Sequence, residues 1–168
     1  MLNPDTRSGK VFFQSTAQEQ FFSEDKEVEF ISGDEKQLLR WFWGTISRYE
    51  QFITFNGRGF DCPFLMLRSA ILGIRPSRNL MPYRYNAALH CDLLEQLTFY
   101  GAIRKFNLDF YCKTFGIKSP KSEGITGLNL GSFFSEGKYR EIAQYCLGDV
   151  IATTELFQRW NECLNIKE

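Results

Sequence analysis

Tyr145 and Asp149 are two residues whose types and spacing could support chemistry. Their separation of four residues places both side chains on one face of a predicted helix, one turn apart. The apolar pattern of that helix predicts that Asp149 lies beside the core rather than in water. A carboxylate in that position needs a partner, which a metal ion, an arginine or backbone donors could supply. The apolar stripe consists of Ile142, Cys146, Val150, Thr153 and Phe157.

Asp61 is a second carboxylate in a position that could serve chemistry. It follows a predicted buried strand at residues 52–55 and the turn Asn56-Gly57-Arg58-Gly59. A carboxylate at the mouth of a strand-to-helix turn can meet another carboxylate from the last helix and share a divalent cation. The structural alternative is that Asp61 caps the helix that follows, two residues ahead of Pro63. The turn is not a phosphate-binding loop, because neither GxxxxGK(S/T) nor GxGxxG follows the strand.

Other catalytic chemistries have few candidate residues. The chain has one histidine, His90, so a two-histidine metal motif is impossible and a histidine-dependent triad would have to use that residue. The five cysteines are widely spaced without a CxxC pair, which argues against a disulfide framework and against a zinc site. We therefore predict reduced, mostly buried thiols and expect carboxylates to carry the chemistry.

The composition predicts one globular domain. The 168 residues are 43% hydrophobic and 24% charged, which fits a single packed core. The apolar runs are too short for a membrane span, and the N-terminal residues lack the pattern of a signal peptide. We therefore expect a cytosolic protein that does not interact with membranes.

The charge is balanced overall but uneven along the chain. Twenty basic and twenty acidic residues give a net charge of zero, whereas residues 75–121 carry eight basic and three acidic groups. A neutral chain argues against non-specific coating of DNA. The basic segment is either a solvated loop or the border of a groove for a polyanion. In the second case the groove would be bordered by Arg75, Arg78 and Arg84, interleaved with Tyr83 and Tyr85.

The order of the predicted elements is typical of an α/β layered domain. Turn-forming residues 3–9 predict a hairpin tip with a return strand from Val11, and residues 28–31 predict another strand. Ser32 and Glu35 have the spacing of a capping box before a helix. Further helices are predicted over 61–72, up to about residue 99, over 108–115 and over 138–164, with loops at 74–88 and 117–132.

Together, and in this order, these segments resemble the DEDD superfamily of 3′–5′ exonucleases, specifically its tyrosine-bearing branch and the polymerase-B-type bacterial members. The segment Phe55-Asn56-Gly57 through Phe60-Asp61-Cys62-Pro63 is similar to the second exonuclease motif. The segment Tyr145-Cys146-Leu147-Gly148-Asp149-Val150, with Thr154, is similar to the third motif, of form Y-x3-D. The histidine-bearing branch would need histidine at position 144, where this chain has Gln144.

The resemblance extends over about residues 36–160. Between the two motifs, His90-x-Asp92-Leu93, residues 108–118 and the Gly127 segment resemble the connecting region of the family. The resemblance implies an α/β, ribonuclease-H-like fold, in which a mixed sheet is flanked by helices. It also implies hydrolysis of phosphodiester bonds from the 3′ end of single-stranded DNA, or of RNA, by two Mg²⁺ or Mn²⁺ ions.

The same resemblance implies a role for each candidate residue. Asp149 would ligate the metal ion on the side of the nucleophile, Asp61 would support the second metal ion, and Tyr145 would orient the attacking water. Asn56 and Phe60 would contact the terminal nucleotide, although Phe60 would suit the core equally well. The carboxylates of Asp61 and Asp149 are then expected within roughly 8 Å of each other, the reach of two ligands around a metal pair.

One motif of the family has no counterpart in the expected place. The Asp-x-Glu motif belongs to the first, central strand, and no apolar strand precedes residue 10 to carry it. Asp25-Lys26-Glu27 has the right letters, but it lies in an acidic run that predicts a solvated turn. We therefore expect residues 1–168 to form a single partial exonuclease domain, truncated before its central strand. The alternative is a catalytically inactive domain of the same fold that binds nucleic acid or an unknown protein.

Overall fold

The computed structural model describes residues 1–119, 127 and 129–166. The chain divides into two compact units. Unit 1 comprises Met1–Asp34 and Asn107–Glu168, whereas unit 2 is the continuous segment Glu35–Phe106. The strands within the described residues are β1 (Gly9–Gln14), β2 (Gln20–Phe22), β3 (Val28–Gly33), β4 (Phe52–Thr54) and β5 (His90–Asp92). The helices are α1 (Glu35–Ile46), α2 (Asp61–Ile71), α3 (Leu93–Leu97), α4 (Leu108–Phe115), α5 (Leu130–Ser135) and α6 (Tyr139–Cys163).

Unit 1 is built on a small mixed sheet in the order β1-β3-β2. The central strand β3 pairs in parallel with β1 and antiparallel with β2. Side chains alternate between the two faces of a strand, so Val28 and Phe30 of β3 share a face with Val11 and Phe13 of β1. All four are buried, and they form the core of unit 1 together with Ala143 of α6.

The hairpin predicted at the start of the chain is present. Leu2 forms an antiparallel bridge with Gly9. The backbones of Met1 and Lys10 exchange hydrogen bonds, with the Met1 amino group donating at 2.7 Å and the Lys10 N–H donating at 2.9 Å. The strand β1 is the predicted return strand, and its pairing with β3 links the hairpin to the sheet.

The long helix α6 lies within one residue of its predicted bounds at each end, but its buried stripe differs from the prediction. Its buried residues are Ala143, Ala152, Leu156 and Trp160. Cys146 is exposed, so its place in the predicted apolar stripe was wrong. The face of α6 that packs against β1 and α4 carries these four apolar residues, and Cys146 does not lie on it. Three of the five cysteines are buried, as predicted.

Two local predictions, the capping box at Ser32 and the loop at 117–132, need correction. The capping box does not form, because Ser32 belongs to β3. Its hydroxyl accepts the N–H of Glu19 at 2.6 Å and donates to the carbonyl of Ala17 at 2.8 Å. The predicted loop at 117–132 ends earlier than expected, because α5 begins at Leu130. The rest of that loop prediction falls partly on residues 120–126 and 128, which lie outside the described residues.

Unit 2 contains the parallel pair of strands β4 and β5, with α1, α2 and α3. In α1 the residues Leu39, Trp43 and Ile46 recur at helical spacing and are buried. The indole N–H of Trp43 donates to the hydroxyl of Ser69 on α2 at 2.9 Å. That hydroxyl donates in turn to the carbonyl of Leu65 at 2.7 Å, so this polar link between the two helices is satisfied.

Both units have small sheets flanked by helices, which confirms the predicted α/β class and is consistent with a ribonuclease-H-like domain. Among the described helices, none is long and apolar enough to cross a membrane.

The histidine of β5 is packed as part of the strand pair. The ring of His90 stacks on Phe52 of β4, with centroids 4.2 Å apart. Its Nε2 atom is 2.8 Å from the hydroxyl oxygen of Thr54, and the residue is buried. Burial lowers the pKa of His90 to about 4, and the positive charge of Arg58 acts in the same direction.

We expect the single imidazole resonance of the folded protein to titrate near pH 4. Because the pKa of His90 is lowered from 6.5, the unfolded chain takes up the proton first, and the free energy of unfolding should fall as the pH drops from about 6.5 toward 4. Proton NMR measures the midpoint, and urea unfolding of the wild type and of His90→Gln isolates the contribution of histidine from that of the carboxylates. A midpoint near 6.5 would contradict the buried position.

Candidate functional site

A buried aspartate fixes the turn between β4 and α2. The Oδ1 atom of Asp92 accepts the backbone N–H of Asn56 at 2.9 Å and that of Leu94 at 3.1 Å. Its Oδ2 atom accepts the backbone N–H of Arg58 at 2.8 Å. Asp92 is only 1% exposed, so these three donors replace the water that an ionised carboxylate would otherwise bind.

Close packing requires glycine at position 57, and glycine at position 59 leaves room for the side chain of Asn56. A Cβ atom on Gly57 would lie 2.5 Å from the side chain of Thr54, and one on Gly59 would lie 2.5 Å from Oδ1 of Asn56. Asn56 itself has a φ of 60°, in the left-handed region that asparagine tolerates better than most residues. The sequence Asn56-Gly57-Arg58-Gly59 therefore serves to bring two backbone N–H groups onto one carboxylate.

The turn delivers Phe60 and Asp61 to the surface at the start of α2. Phe60 is the N-cap residue of the helix, and Asp61 is its first residue. The alternative in which Asp61 is the N-cap is therefore wrong, because the chain enters the helix one residue earlier. The ring of Phe60 is 65% exposed and stacks on Phe64 at a centroid distance of 6.0 Å, which excludes a place in the core.

The carboxyl group of Asp61 differs from that of Asp92 in its surroundings. Desolvation raises the pKa of Asp61, and the negative charge of Asp92 raises it further, while its own backbone N–H opposes the shift. No cation pairs with Asp61 among the described residues. A partly desolvated carboxylate beside a second negative charge suits a divalent cation, which would restore its ionised form.

Arg58 connects the same turn to the loop that follows α2. Its Nη1 atom donates to the carbonyl of Pro82 at 3.0 Å, and its Nε atom lies 3.4 Å from the carboxylate of Glu95 on α3. The other oxygen of Glu95 lies 2.9 Å from Nε of Arg84. These two arginines and one glutamate form a network that leaves one net positive charge.

The arginines of the basic segment 75–121 do not line an open groove in the way that the sequence predicted. The guanidinium of Arg78 donates to the carbonyls of Tyr49 and Glu50 and lies over the ring of Phe52. Arg84 is paired with Glu95, as described above. Two of the three arginines expected to border a groove therefore bind their own chain.

Tyr145 and Asp149 lie one turn apart on α6 of unit 1, as predicted, and both are half-buried. Burial raises the pKa of the Tyr145 hydroxyl, and the nearby negative charge of Asp149 raises it further. Burial raises the pKa of the Cys112 thiol on α4 to about 11, and the negative charges of Asp109, Glu155 and Asp149 act in the same direction. Because its pKa is raised above 10, the Tyr145 hydroxyl is protonated at neutral pH and can orient a water molecule but not take its proton.

Asn56, Phe60 and Asp61 belong to unit 2, whereas Tyr145 and Asp149 belong to unit 1. Each group has the local arrangement expected of its motif, and the expected convergence of Asp61 and Asp149 stays a prediction. Within residues 1–119, 127 and 129–166, no cluster of three or more His, Cys, Asp or Glu side chains could hold a metal ion.

The acidic segment 23–27 is a tight turn between β2 and β3, as predicted. Asp25 accepts hydrogen bonds from the hydroxyl of Ser23 at 2.5 Å and from the N–H of Glu27 at 3.1 Å. Lys26 has a φ of 61° at the tip of the turn. These bonds lower the pKa of Asp25 and assign its carboxylate to the turn itself.

Comparison with known proteins assigns the family. The family described as a predicted 3′–5′ exonuclease related to the exonuclease domain of PolB matches residues 11–165. This chain belongs to that family. It is 28% identical over 122 residues to DNA polymerase 1 of Sulfurisphaera ohwakuensis, and the matched region covers 64% of this chain and 14% of the polymerase. It is 26% identical over 137 residues to DNA polymerase 1 of Sulfolobus acidocaldarius, and that matched region covers 77% of this chain and 15% of the polymerase.

Within this PolB-like exonuclease domain, the role of Asp92 was not predicted from the sequence, where its resemblance places it only in the connecting region. One available signal was its position at the end of the buried strand His90–Asp92, directly before a helix. Strands β4 and β5 are parallel, and Thr54 pairs with Asp92, so the carboxylate is level with the start of the turn. An aspartate at the carboxyl end of a parallel strand can collect N–H groups from the loop beside it.

We expect the two aspartates of unit 2 to respond in opposite ways to replacement by asparagine. Asp92→Asn puts an amide donor where an oxygen accepts a backbone N–H, and should lower the free energy of unfolding by about 1–3 kcal/mol. Asp61→Asn removes a charge that the folded state disfavours and should leave stability equal or higher at pH 7. Urea unfolding followed by circular dichroism compares the two variants.

The pH dependence provides the control for this pair. Because the pKa of Asp61 is raised in the folded state, the stability linked to its proton is fully present below pH 3.8 and is lost as the pH rises. Any gain from Asp61→Asn should therefore vanish below about pH 3.8. A gain that persists there, or a loss of stability in Asp61→Asn at pH 7, would contradict the assignment.

Proposed function

We propose that this chain acts as a metal-dependent 3′–5′ exonuclease domain that removes nucleotides from the 3′ end of single-stranded DNA. The family match over residues 11–165 is the observation that carries the proposal. The two DNA polymerase relatives support DNA as the first substrate to test, with single-stranded RNA as the comparison. The chain spans about 15% of the length of these relatives, so the activity of a complete polymerase is not carried over.

Asp61 and Asp149 are the proposed ligands for Mg²⁺ or Mn²⁺, because hard divalent cations prefer carboxylate oxygens. Asp149 would serve the ion on the side of the nucleophile and Asp61 the second ion. When bound, the ions would supply charge stabilisation to the phosphate oxygens and acidify a water molecule. The raised pKa of Asp61 supports this role, since a cation would compensate its desolvation.

Tyr145 is the proposed positioning group for the attacking water. Its hydroxyl keeps its proton at neutral pH, so it can donate one hydrogen bond and accept another. A protonated phenol fixes the direction of a water molecule without competing for its proton. This function requires the hydroxyl of Tyr145 and not the ring as such.

Asn56 and Phe60 are the proposed contacts to the terminal nucleotide. The exposed ring of Phe60 offers a face on which a base can stack. Asn56 is held in its left-handed conformation by Asp92, which orients the polar side chain of the turn. Both residues are therefore positioned by the backbone of the turn rather than by flexible side chains.

We expect the 168-residue chain to be inactive or nearly so. Two divalent ions bring about four positive charges together, and Asp61 and Asp149 supply only two negative ones. A version extended at its N-terminus by an Asp-x-Glu strand is expected to release nucleotides from a 3′ end in Mg²⁺ or Mn²⁺. The assay follows end-labelled oligonucleotides with and without EDTA.

Three variants of the extended version test the assigned roles. Asp149→Ala should abolish turnover, because it removes a metal ligand. Tyr145→Phe should slow turnover by about 10- to 100-fold and leave the metal requirement unchanged, because only the orientation of the water is lost. Glu162→Ala, which changes an exposed residue near the end of the same helix, is the matched control and should retain full activity. Activity that resists EDTA, or full activity of Asp149→Ala, would refute the mechanism.

A further inference from the structure

Unit 2 carries an exposed aromatic cluster that the proposed catalytic residues do not use. We call Tyr83, Tyr85 and Tyr100 the tyrosine surface. Tyr83 is 74% exposed and Tyr85 is 57% exposed. The rings of Tyr83 and Tyr85 lie 5.6 Å apart at 63°, and those of Tyr85 and Tyr100 lie 4.6 Å apart at 56°. The three rings therefore support one another while two of them face solvent.

The backbone that presents Tyr100 has an unusual conformation. Phe99, Tyr100 and Gly101 have successive φ values of 49°, 57° and 96°, all in the left-handed region. Such a conformation is costly for aromatic residues and persists where neighbouring bonds enforce it. The carbonyl of Thr98 accepts the N–H of Gly101 at 3.0 Å and that of Ile103 at 3.2 Å. Strain of this kind is concentrated at functional surfaces.

The tyrosine surface is connected to the turn that carries Asn56 and Phe60. Arg58, whose N–H is held by Asp92, donates through Nη1 to Pro82 and through Nη2 to the carbonyl of Tyr83 at 3.5 Å. Tyr100 is held at the other side, because its hydroxyl accepts a hydrogen bond from Gln96 at 2.8 Å. Hydrogen bonds of Arg58 therefore link the tyrosine surface to the turn of residues 56–59 within unit 2.

The charge next to the tyrosine surface is positive. Arg84 stands between Tyr83 and Tyr85 in the sequence and pairs with Glu95, which also pairs with Arg58. One carboxylate for two guanidinium groups leaves one positive charge in contact with the loop. This combination of aromatic faces with a local positive charge suits a strand with flat bases and a phosphate backbone.

We propose that the tyrosine surface is a stacking platform for unpaired bases of a nucleic-acid strand. The assignment of a nucleic acid as the ligand rests on the proposed function, and the platform deepens that function. The bases must be unpaired, because only unpaired bases offer free faces for stacking. Bases on this platform would be upstream of the terminal nucleotide contacted by Asn56 and Phe60. Arg58, Arg84 and Glu95 together leave one positive charge beside the platform, which would favour a phosphate backbone over a neutral ligand.

The test measures binding in EDTA, so that it does not depend on cleavage. The 168-residue chain is titrated into a fluorescein-labelled single-stranded oligo(dT) of about 15 nucleotides, and anisotropy gives the affinity. The double variant Tyr83→Leu/Tyr85→Leu keeps apolar area but removes the aromatic faces, and should weaken binding by about 10-fold or more. The double variant Tyr83→Phe/Tyr85→Phe keeps those faces and should bind like the wild type.

Tyr49→Leu is the matched control, because Tyr49 is an exposed tyrosine of the same unit outside the tyrosine surface. It should leave the affinity unchanged, and circular dichroism should show all variants folded. Unchanged binding by the leucine double variant overturns the proposal, and so does an equal loss in the phenylalanine double variant. Equal affinity for a duplex of the same length also overturns the proposal, and so does failure of the wild type to bind any oligonucleotide.

The experiments can refute the proposed stacking platform and the proposed exonuclease activity independently of each other. Cleavage by the extended version, together with unchanged binding by the leucine double variant, refutes the platform and leaves the exonuclease. Binding that depends on the tyrosines, without cleavage by the extended version, supports the platform and refutes the exonuclease. The second result would favour the alternative of an inactive nucleic-acid-binding domain.

Discussion

Unit 2 depends on the three backbone N–H groups that meet at the carboxylate of Asp92. A buried carboxylate is costly unless donors replace its water, so the turn after β4 must bend until its N–H groups reach the oxygens. That bend explains the left-handed conformation of Asn56 and the two glycines that pack against neighbouring side chains. It also fixes Arg58, and through Arg58 the loop of residues 82–85.

Asp61 and Asp92 show how one unit can hold two carboxylates for different purposes. Asp92 is buried and accepts three backbone N–H groups, so its carboxylate holds the turn in place. Asp61 is partly desolvated and lies near the negative charge of Asp92, both of which raise its pKa, and none of the described cations pairs with it. Residues kept in an unfavourable state are candidates for function, because a ligand can supply the missing interaction.

The elements that sequence analysis predicted well are those specified by local interactions. Helix α4 matches residues 108–115, because Asn107 caps its first turn and Gly116 ends it with a φ of 68°. The predictions that failed depend on partners distant in the sequence. Ser32 lost its capping role to strand pairing, and the bond from Asn56 to Asp92 spans 36 residues. The motif residues Asp61, Tyr145 and Asp149 were recognisable by family resemblance, whereas the role of Asp92 became visible only through its hydrogen bonds.

The pairing of the arginines changes how nucleic-acid binding should be understood in this exonuclease family member. Counting charges gave residues 75–121 an excess of five basic groups, yet Arg78 binds backbone carbonyls and Arg84 shares a carboxylate with Arg58. Phosphate contacts would then be few, and a chain with no net charge gains little from long-range attraction. Stacking on aromatic faces is less sensitive to salt than phosphate contact, and it requires bases that are unpaired. If the proposed function and platform are correct, a surface with few free cations and several exposed rings would favour single strands over duplexes, which is the selectivity that removal of nucleotides from a frayed 3′ end would need.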